Sequence, residues 1–214
     1  MHPIEIEIKL PPTASKPAQV LSQPEQKRLA FFAEKSPTAR KVGLLLMMQM
    51  GLRIGEVCGL QWNDFDLTVG VLSVRRTVKR IYVANGQTKV VVQTPKTRGS
   101  VRQIPIPQGI LQILNRLYSS HAPQEWFLSG NADKPVEPRC YRKSLHSYLR
   151  RAGVPAVNPH ALRPTFATTC LQAGCNVKTL SELLGHASSD ITMKRYVHTC
   201  WDWKRAEMER IFAQ

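Results

Sequence analysis

Four short segments carry side chains whose types and spacing could do chemistry on a phosphodiester. In GLRIGEVCGLQWNDFD (residues 51–66), Arg53 follows an apolar stretch, where a guanidinium must be paired or must face a ligand. Glu56, three residues on, can hold it, and a purely structural Arg53–Glu56 pair is the competing reading. In TPKTRGSVRQIPIP (94–107), Lys96 and Arg98 sit at a glycine-containing turn between two strand-like runs. A lysine there can swing toward a phosphate or a leaving oxygen, although most turn lysines are simply solvated. In PHALRPTFATTCLQAG (159–174), His160 and Arg163 are three apart, so they share one face of a helical turn. They lie at a helix N-terminus, whose positive dipole end attracts anions; a local hydrogen bond accounts for such a histidine equally well. In LSELLGHASSDITMKRYVHT (180–199), Gly185 closes a helix, His186 follows it, and Tyr196 comes ten residues after that histidine. A lone tyrosine in such a place usually packs in an amphipathic core.

Absent motifs narrow the chemistry. No Gly-Lys dipeptide occurs, so there is no P-loop, and HExxH and GxSxG are missing. Acidic residues are too scattered to nominate a two-metal carboxylate cluster. Phosphodiester chemistry would fall to arginine, histidine and lysine in place of a metal.

Each segment alone is weak, but the order Arg, Lys, HxxR, GH, Tyr resembles the tyrosine recombinases, the integrase family of phages and conjugative transposons. The resemblance runs from about residue 21 to 205. The phrases GLRIGEVCGLQWNDFD, HALRPTFAT, LSELLGH and ITMKRYVH are similar to family segments almost residue for residue. It implies that Tyr196 attacks the scissile phosphate to give a 3′-phosphotyrosyl link and a free 5′-hydroxyl, storing the bond energy so that rejoining needs no ATP. Arg53 and Arg163 would grip the non-bridging oxygens, Lys96 would protonate the departing 5′-oxygen, and His186 would donate to the phosphate. His160 is the acid/base candidate near the nucleophile, and Glu56 orients Arg53. No cofactor and no metal are implied. One departure is Pro164, where the family commonly has histidine in HxLRHTFAT. The other is length: the family usually carries a core-binding DNA domain first, so an isolated catalytic domain or fragment is expected. A type IB topoisomerase, which shares the Arg-Lys-Arg-His-Tyr chemistry, and a non-catalytic basic DNA-binding module are the alternatives.

These residues need elements to position them. Ser22 with Glu25 forms a capping box at the start of one helix, and Pro37 at a first helical position starts a second, about 38–51. The second helix is apolar all round and ends at Gly51, and a short helix from about 54 to 60 follows. Strand-like runs at 71–74, 81–84, 89–93 and 101–106, with a hairpin turn at Asn85-Gly86, predict a small antiparallel sheet. Helical patterns return at about 108–120, 139–152, 160–174, 177–185, 189–195 and 202–213. The fold class is α+β, mostly α-helical with a small antiparallel β-sheet. Residues 1–20 read as a strand and linker, and residues 21–214 as the catalytic domain. The helix at 202–213 either packs on its own core or, as the resemblance suggests, docks on a neighbouring protomer of a homotetramer on DNA.

Charge points to the partner. Among the 214 residues, 30 Lys+Arg against 15 Asp+Glu give a formal charge of +15, and no acidic residue lies between Asp66 and Glu125. A cationic block without carboxylates repels itself unless a polyanion lies opposite, and duplex DNA is the expected partner. The candidate DNA-binding residues are Arg75, Arg76, Lys79, Arg80, Arg98 and Arg102 around the sheet. A helical stripe adds Arg139, Arg142 and Lys143, continued by His146 and Arg150. The longest uncharged apolar run, Val42 to Leu52, is far short of the roughly 20 residues that span a bilayer, so no membrane partner is expected. Five cysteines without CxxC spacing argue against a disulfide framework. A prokaryotic, cytoplasmic, nucleoid-associated protein is the expectation.

Overall fold

The computed structural model describes residues 19–83, 86–94, 101–118, 121–155, 157–186 and 188–196, together with 205, 208, 209, 211 and 212. The side chains of 193–196 are not among the described parts.

Helix α1 (Gln23–Lys35) starts as its sequence predicts. Glu25 Oε2 accepts from the Ser22 backbone N–H at 2.7 Å and from the Ser22 hydroxyl at 2.8 Å. Helix α2 (Ala39–Gln49) is capped by Thr38, whose hydroxyl accepts from the Lys41 N–H, so Pro37 lies just outside the helix and not at its first position. Every residue from Lys41 to Met48 is buried, because α1, α3, α4, α5 and α6 surround this helix. Lys41 survives there because its Nζ donates to the Ser36 carbonyl at 2.8 Å and lies over the Phe32 ring. Burial lowers its pKa first, and the Arg151 cation adds to that.

The short α3 (Ile54–Cys58) leads into β1 (Phe65–Asp66), β2 (Val71–Val74), β3 (Thr77–Tyr82), β4 (Thr88–Gln93) and β5 (Arg102–Pro105). The pairing is antiparallel throughout, but it forms two sheets where one was expected: β1-β2-β5 and the hairpin β3-β4. The break falls at Arg75-Arg76, where Arg76 turns away to the Gly59 carbonyl and the Asp64 carboxylate. Strand β3 also begins four residues before the expected Ile81. The Thr77–Arg80 stretch lacks the apolar alternation that marks a half-buried strand, yet its backbone pairs from Thr77↔Gln93 onward. Gly86 has a left-handed φ of 71°, as the hairpin turn requires, while Asn85 lies outside the described residues.

Helices α4 (Gln108–Tyr118) and α5 (Pro138–Arg151) close the main core, with Tyr141, Leu145 and Leu149 of α5 buried. A single 3₁₀ turn (Pro159–Ala161) precedes α6 (Leu162–Gln172), where one continuous helix was expected. Pro164 fits there without loss, because the N–H groups of a helix's first turn have no intrahelical acceptor. Helices α6 and α7 (Val177–Leu184) form a second, smaller cluster around Phe166, Ala167, Leu171, Leu180 and Leu184, and α8 (Ser189–Tyr196) packs against both helices. Most of the expected helix at 202–213 lies outside the described residues. No helix of the described residues is long and apolar enough to cross a membrane.

Candidate active site

The end of α7 organises the site. Gly185 takes the left-handed conformation (φ 64°, ψ 47°), which only glycine adopts without strain, and reverses the chain. The His186 N–H then bonds back to the Ser181 carbonyl at 3.1 Å, so the imidazole is presented immediately past the helix. Its Nδ1 lies 2.7 Å from the hydroxyl of Thr192, a fully buried residue of α8. A neutral imidazole that accepts the Thr192 hydroxyl at Nδ1 carries its proton on Nε2.

The same helix end collects arginines. The Leu184 carbonyl accepts from Arg163 Nη2 and, at 3.5 Å, from Arg53 Nη1. Arg163 Nη1 donates to the Gly51 carbonyl. Gly51 has a left-handed φ of 68°, and a Cβ there would strike the Phe166 ring at 2.5 Å, so the chain must be glycine where it passes Arg163. The HxxR and GLR segments, 112 residues apart, thus meet at one point.

Arg53 heads α3 in a capping-box arrangement. Its backbone N–H donates to Glu56 Oε2 and its Nη1 to Oε1, both at 2.8 Å. The Arg53 side chain keeps 43% of its surface exposed while that of Glu56 keeps 4%. The expected pair exists, and its guanidinium still faces solvent. Glu56 also receives Arg102, whose Nη1 and Nη2 reach Oε1 at 3.1 Å and Oε2 at 3.0 Å. Burial alone would raise the Glu56 pKa. The Arg102 hydrogen bonds and charge, the Arg53 charge and the Arg53 N–H together bring it below the ordinary carboxylate value.

His160 sits in the 3₁₀ turn, three residues before Arg163, with its N–H held by Asn158 Oδ1 at 3.0 Å. Loss of hydration around its ring, then the nearby Arg142 cation, lowers its pKa, which favours the neutral imidazole. Tyr196 is the last residue of α8, directly beyond the Thr192 that holds His186. The Tyr196 side chain, Lys96 and Arg98 lie outside the described residues. Among the described residues, no group of three or more His, Cys, Asp or Glu side chains converges as a metal ion would require.

Residues 19–200 match the phage integrase family model. The chain belongs to the phage integrase family. Its relatives include a tyrosine recombinase XerC-like protein of Caldanaerobacter subterraneus, 33% identical over 176 residues, 74% of this chain and 45% of that protein. The transposase from transposon Tn916 of Enterococcus faecalis is 26% identical over 212 residues, 91% of this chain and 51% of that protein. The chain therefore spans about half the length of the relatives it matches. Among solved structures, the Tn1549 transposon integrase in complex with transposon right end DNA superposes with a TM-score of 0.71 at 27% identity, covering 94% of this chain and 68% of that one. The fold class is that of the integrase catalytic domains, α+β and mostly helical.

Not every cation expected at the DNA surface of this integrase-family chain is there. Arg102 has a side chain only 6% exposed and locked on Glu56, so it is part of the site's interior. Arg76 is spent on Asp64 and Gly59 and lies against the Trp126 ring. Arg80 makes a two-pronged pair with Glu137 at 2.7 and 2.8 Å, which cancels its charge locally. All three carboxylate partners, Glu56, Asp64 and Glu137, lie outside the acid-free stretch in sequence, so the charge pattern along that stretch does not reveal them. Arg75 remains exposed, 4.0 Å from Asp64, and Lys79 is half-buried. On α5, Arg139, Arg142, Lys143, His146 and Arg150 are all exposed on the face opposite Tyr141, Leu145 and Leu149. Helix α5 packs against the 3₁₀ turn that carries His160, which brings the stripe near that residue.

Proposed function

We propose that this chain is the catalytic unit of a site-specific DNA recombinase that cleaves and rejoins strands through a 3′-phosphotyrosyl intermediate. One observation carries the reading: Arg53 and Arg163, from distant segments, converge on the Leu184 carbonyl one residue before the Gly185–His186 corner. Two guanidiniums and an imidazole donor at one point suit the three equatorial oxygens of a pentavalent phosphorus. Tyr196 Oη attacks phosphorus and loses its proton, with His160 as the nearby acid/base. The P–O5′ bond breaks, and Lys96 supplies the proton that leaves with the 5′-hydroxyl. Glu56 fixes Arg53. The names of the relatives, tyrosine recombinases and transposon transposases, support the same reading.

The partner is duplex DNA, bound along the α5 stripe, and the working assembly is a homotetramer on the recombination site. The protein acts at the prokaryotic nucleoid. The test is incubation with a nicked suicide duplex in excess EDTA, scored as a covalent protein–DNA band. Wild type should form the adduct, and Tyr196→Phe should bind the duplex without forming it. An adduct from Tyr196→Phe removes the nucleophile assignment, and cleavage that requires magnesium removes the mechanism.

A further inference from the structure

We infer that Arg102 is a positioning residue of this site: it fastens the strand that begins six residues after Lys96 to Glu56 and to the end of α7, and through Glu56 it sets the direction of Arg53. The inference deepens the proposed function and rests on it.

Arg102 is the first residue of β5, six positions after Lys96. Its Nε donates to the Leu183 carbonyl at 2.7 Å, and both its Nη groups fork onto the Glu56 carboxylate. A carboxylate offers about four lone-pair positions. Arg53 takes one on each oxygen, through Nη1 and its backbone N–H, and Arg102 takes one on each oxygen as well.

The geometry matters more than the charge. A planar fork fixes the plane of the carboxylate as well as its position, which a single-point donor cannot do. The two Arg53 contacts constrain Glu56 from one side only, and one of them belongs to an exposed guanidinium. With Arg102 removed, the carboxylate can turn about its last torsion and take Arg53 Nη1 with it. Arg102 also joins two neighbouring carbonyls into the same frame: Leu183 accepts from Arg102, while Leu184 accepts from Arg53 and Arg163. Strand β5, the α3 start and the α7 end are thereby held in one relation, and these elements carry or adjoin Lys96, Arg53 and His186.

The experiment uses the full chain, with single-turnover cleavage of a nicked suicide duplex at saturating protein, duplex affinity at the same salt, and a melting curve. Arg102→Lys keeps the charge and loses the fork. It should fold and bind duplex as wild type does, while cleavage slows by about 10-fold, the equivalent of one such lost alignment in the transition state. In an Arg53→Lys background, where the planar Arg53 contact is already gone, Arg102→Lys should cost little more, because the two residues act in series. A merely structural Arg102 would slow both backgrounds by the same factor, and that result overturns the assignment. So does an Arg102→Lys rate within about two-fold of wild type. Should Arg102→Lys fail to fold, Glu56→Gln combined with Arg102→Met removes the carboxylate with its partner. That double variant should cleave as slowly as Glu56→Gln alone, and a wild-type rate overturns the inference. A wild-type chain that forms no adduct refutes the proposed function itself, and Arg102's role with it.

Discussion

Replacing Glu56 by glutamine tests how much of the site's preassembly depends on one carboxylate. The side chain accepts four hydrogen bonds, two from Arg53 and two from Arg102, inside a pocket that leaves it 4% exposed. Glutamine keeps one acceptor oxygen and turns an N–H₂ toward donors, so about half of these contacts become repulsive. The Arg102 branch joins two nearly dry side chains, and breaking one partner of such a pair costs about 3–5 kcal/mol. The Arg53 branch reaches water, where screening leaves it at most about 1 kcal/mol. Weighing the retained oxygen against these losses, Glu56→Gln should lose on the order of 3–4 kcal/mol, a large share of the roughly 5–15 kcal/mol of an ordinary domain. Urea unfolding at a series of pH values measures it. Because the folded pKa of Glu56 lies below the ordinary 4.5, its contribution is present above pH 4.5 and lost as pH falls through the lower folded value. The gap between wild type and variant should therefore be full at neutral pH and narrow below about pH 4.5. A gap under about 1 kcal/mol at neutral pH, or one that stays constant into acid, refutes the reasoning.

Two further outcomes follow from α5. Hydration loss and Arg142 together depress the His160 pKa, so Arg142→Ala should move the acid limb of the cleavage pH profile to higher pH; an unmoved limb separates the two residues. Arg142→Ala with Lys143→Ala should reduce the salt dependence of duplex affinity by roughly two phosphate contacts, while Arg76→Ala should lower the melting temperature and leave that dependence unchanged. Equal slopes for wild type and the α5 double variant would mean that the stripe meets no phosphate.

Much of this was legible in the sequence because it depended on local rules. The Ser22–Glu25 box, the apolar run of α2, the Gly185 stop and the two-faced α5 are each decided within a few residues, and each formed where the pattern placed it. Arg53–Glu56 was legible for the same reason, as neighbours on one turn. What stayed hidden was long-range. Nothing in the spacing between Glu56 and Arg102 or between Arg80 and Glu137 marks them as partners, since only the folded topology brings β5 to α3 and α5 to β3. Composition therefore assigned to DNA three arginines that the fold uses for itself. The Thr192 contact to His186 was invisible too, because a buried threonine six residues after a histidine carries no signal.

Under the proposed function, the placement of these arginines bears on how the site would receive a phosphate. Helix α7 ends with its negative dipole end at Leu183 and Leu184, and three guanidiniums settle on those two carbonyls. One carboxylate, Glu56, is shared by two of them. Each guanidinium contact with the helix end is worth a few tenths to about 1 kcal/mol. The arrangement is held locally: Gly51 lets the chain pass Arg163, Gly185 lets it turn ahead of His186, and Glu56 braces Arg53. The donors are thus oriented before any anion arrives. The pentavalent state carries more negative charge on its equatorial oxygens than the resting diester does. Under the proposed function, guanidiniums held in place by the fold would therefore favour that state over the resting diester, the difference that catalysis requires.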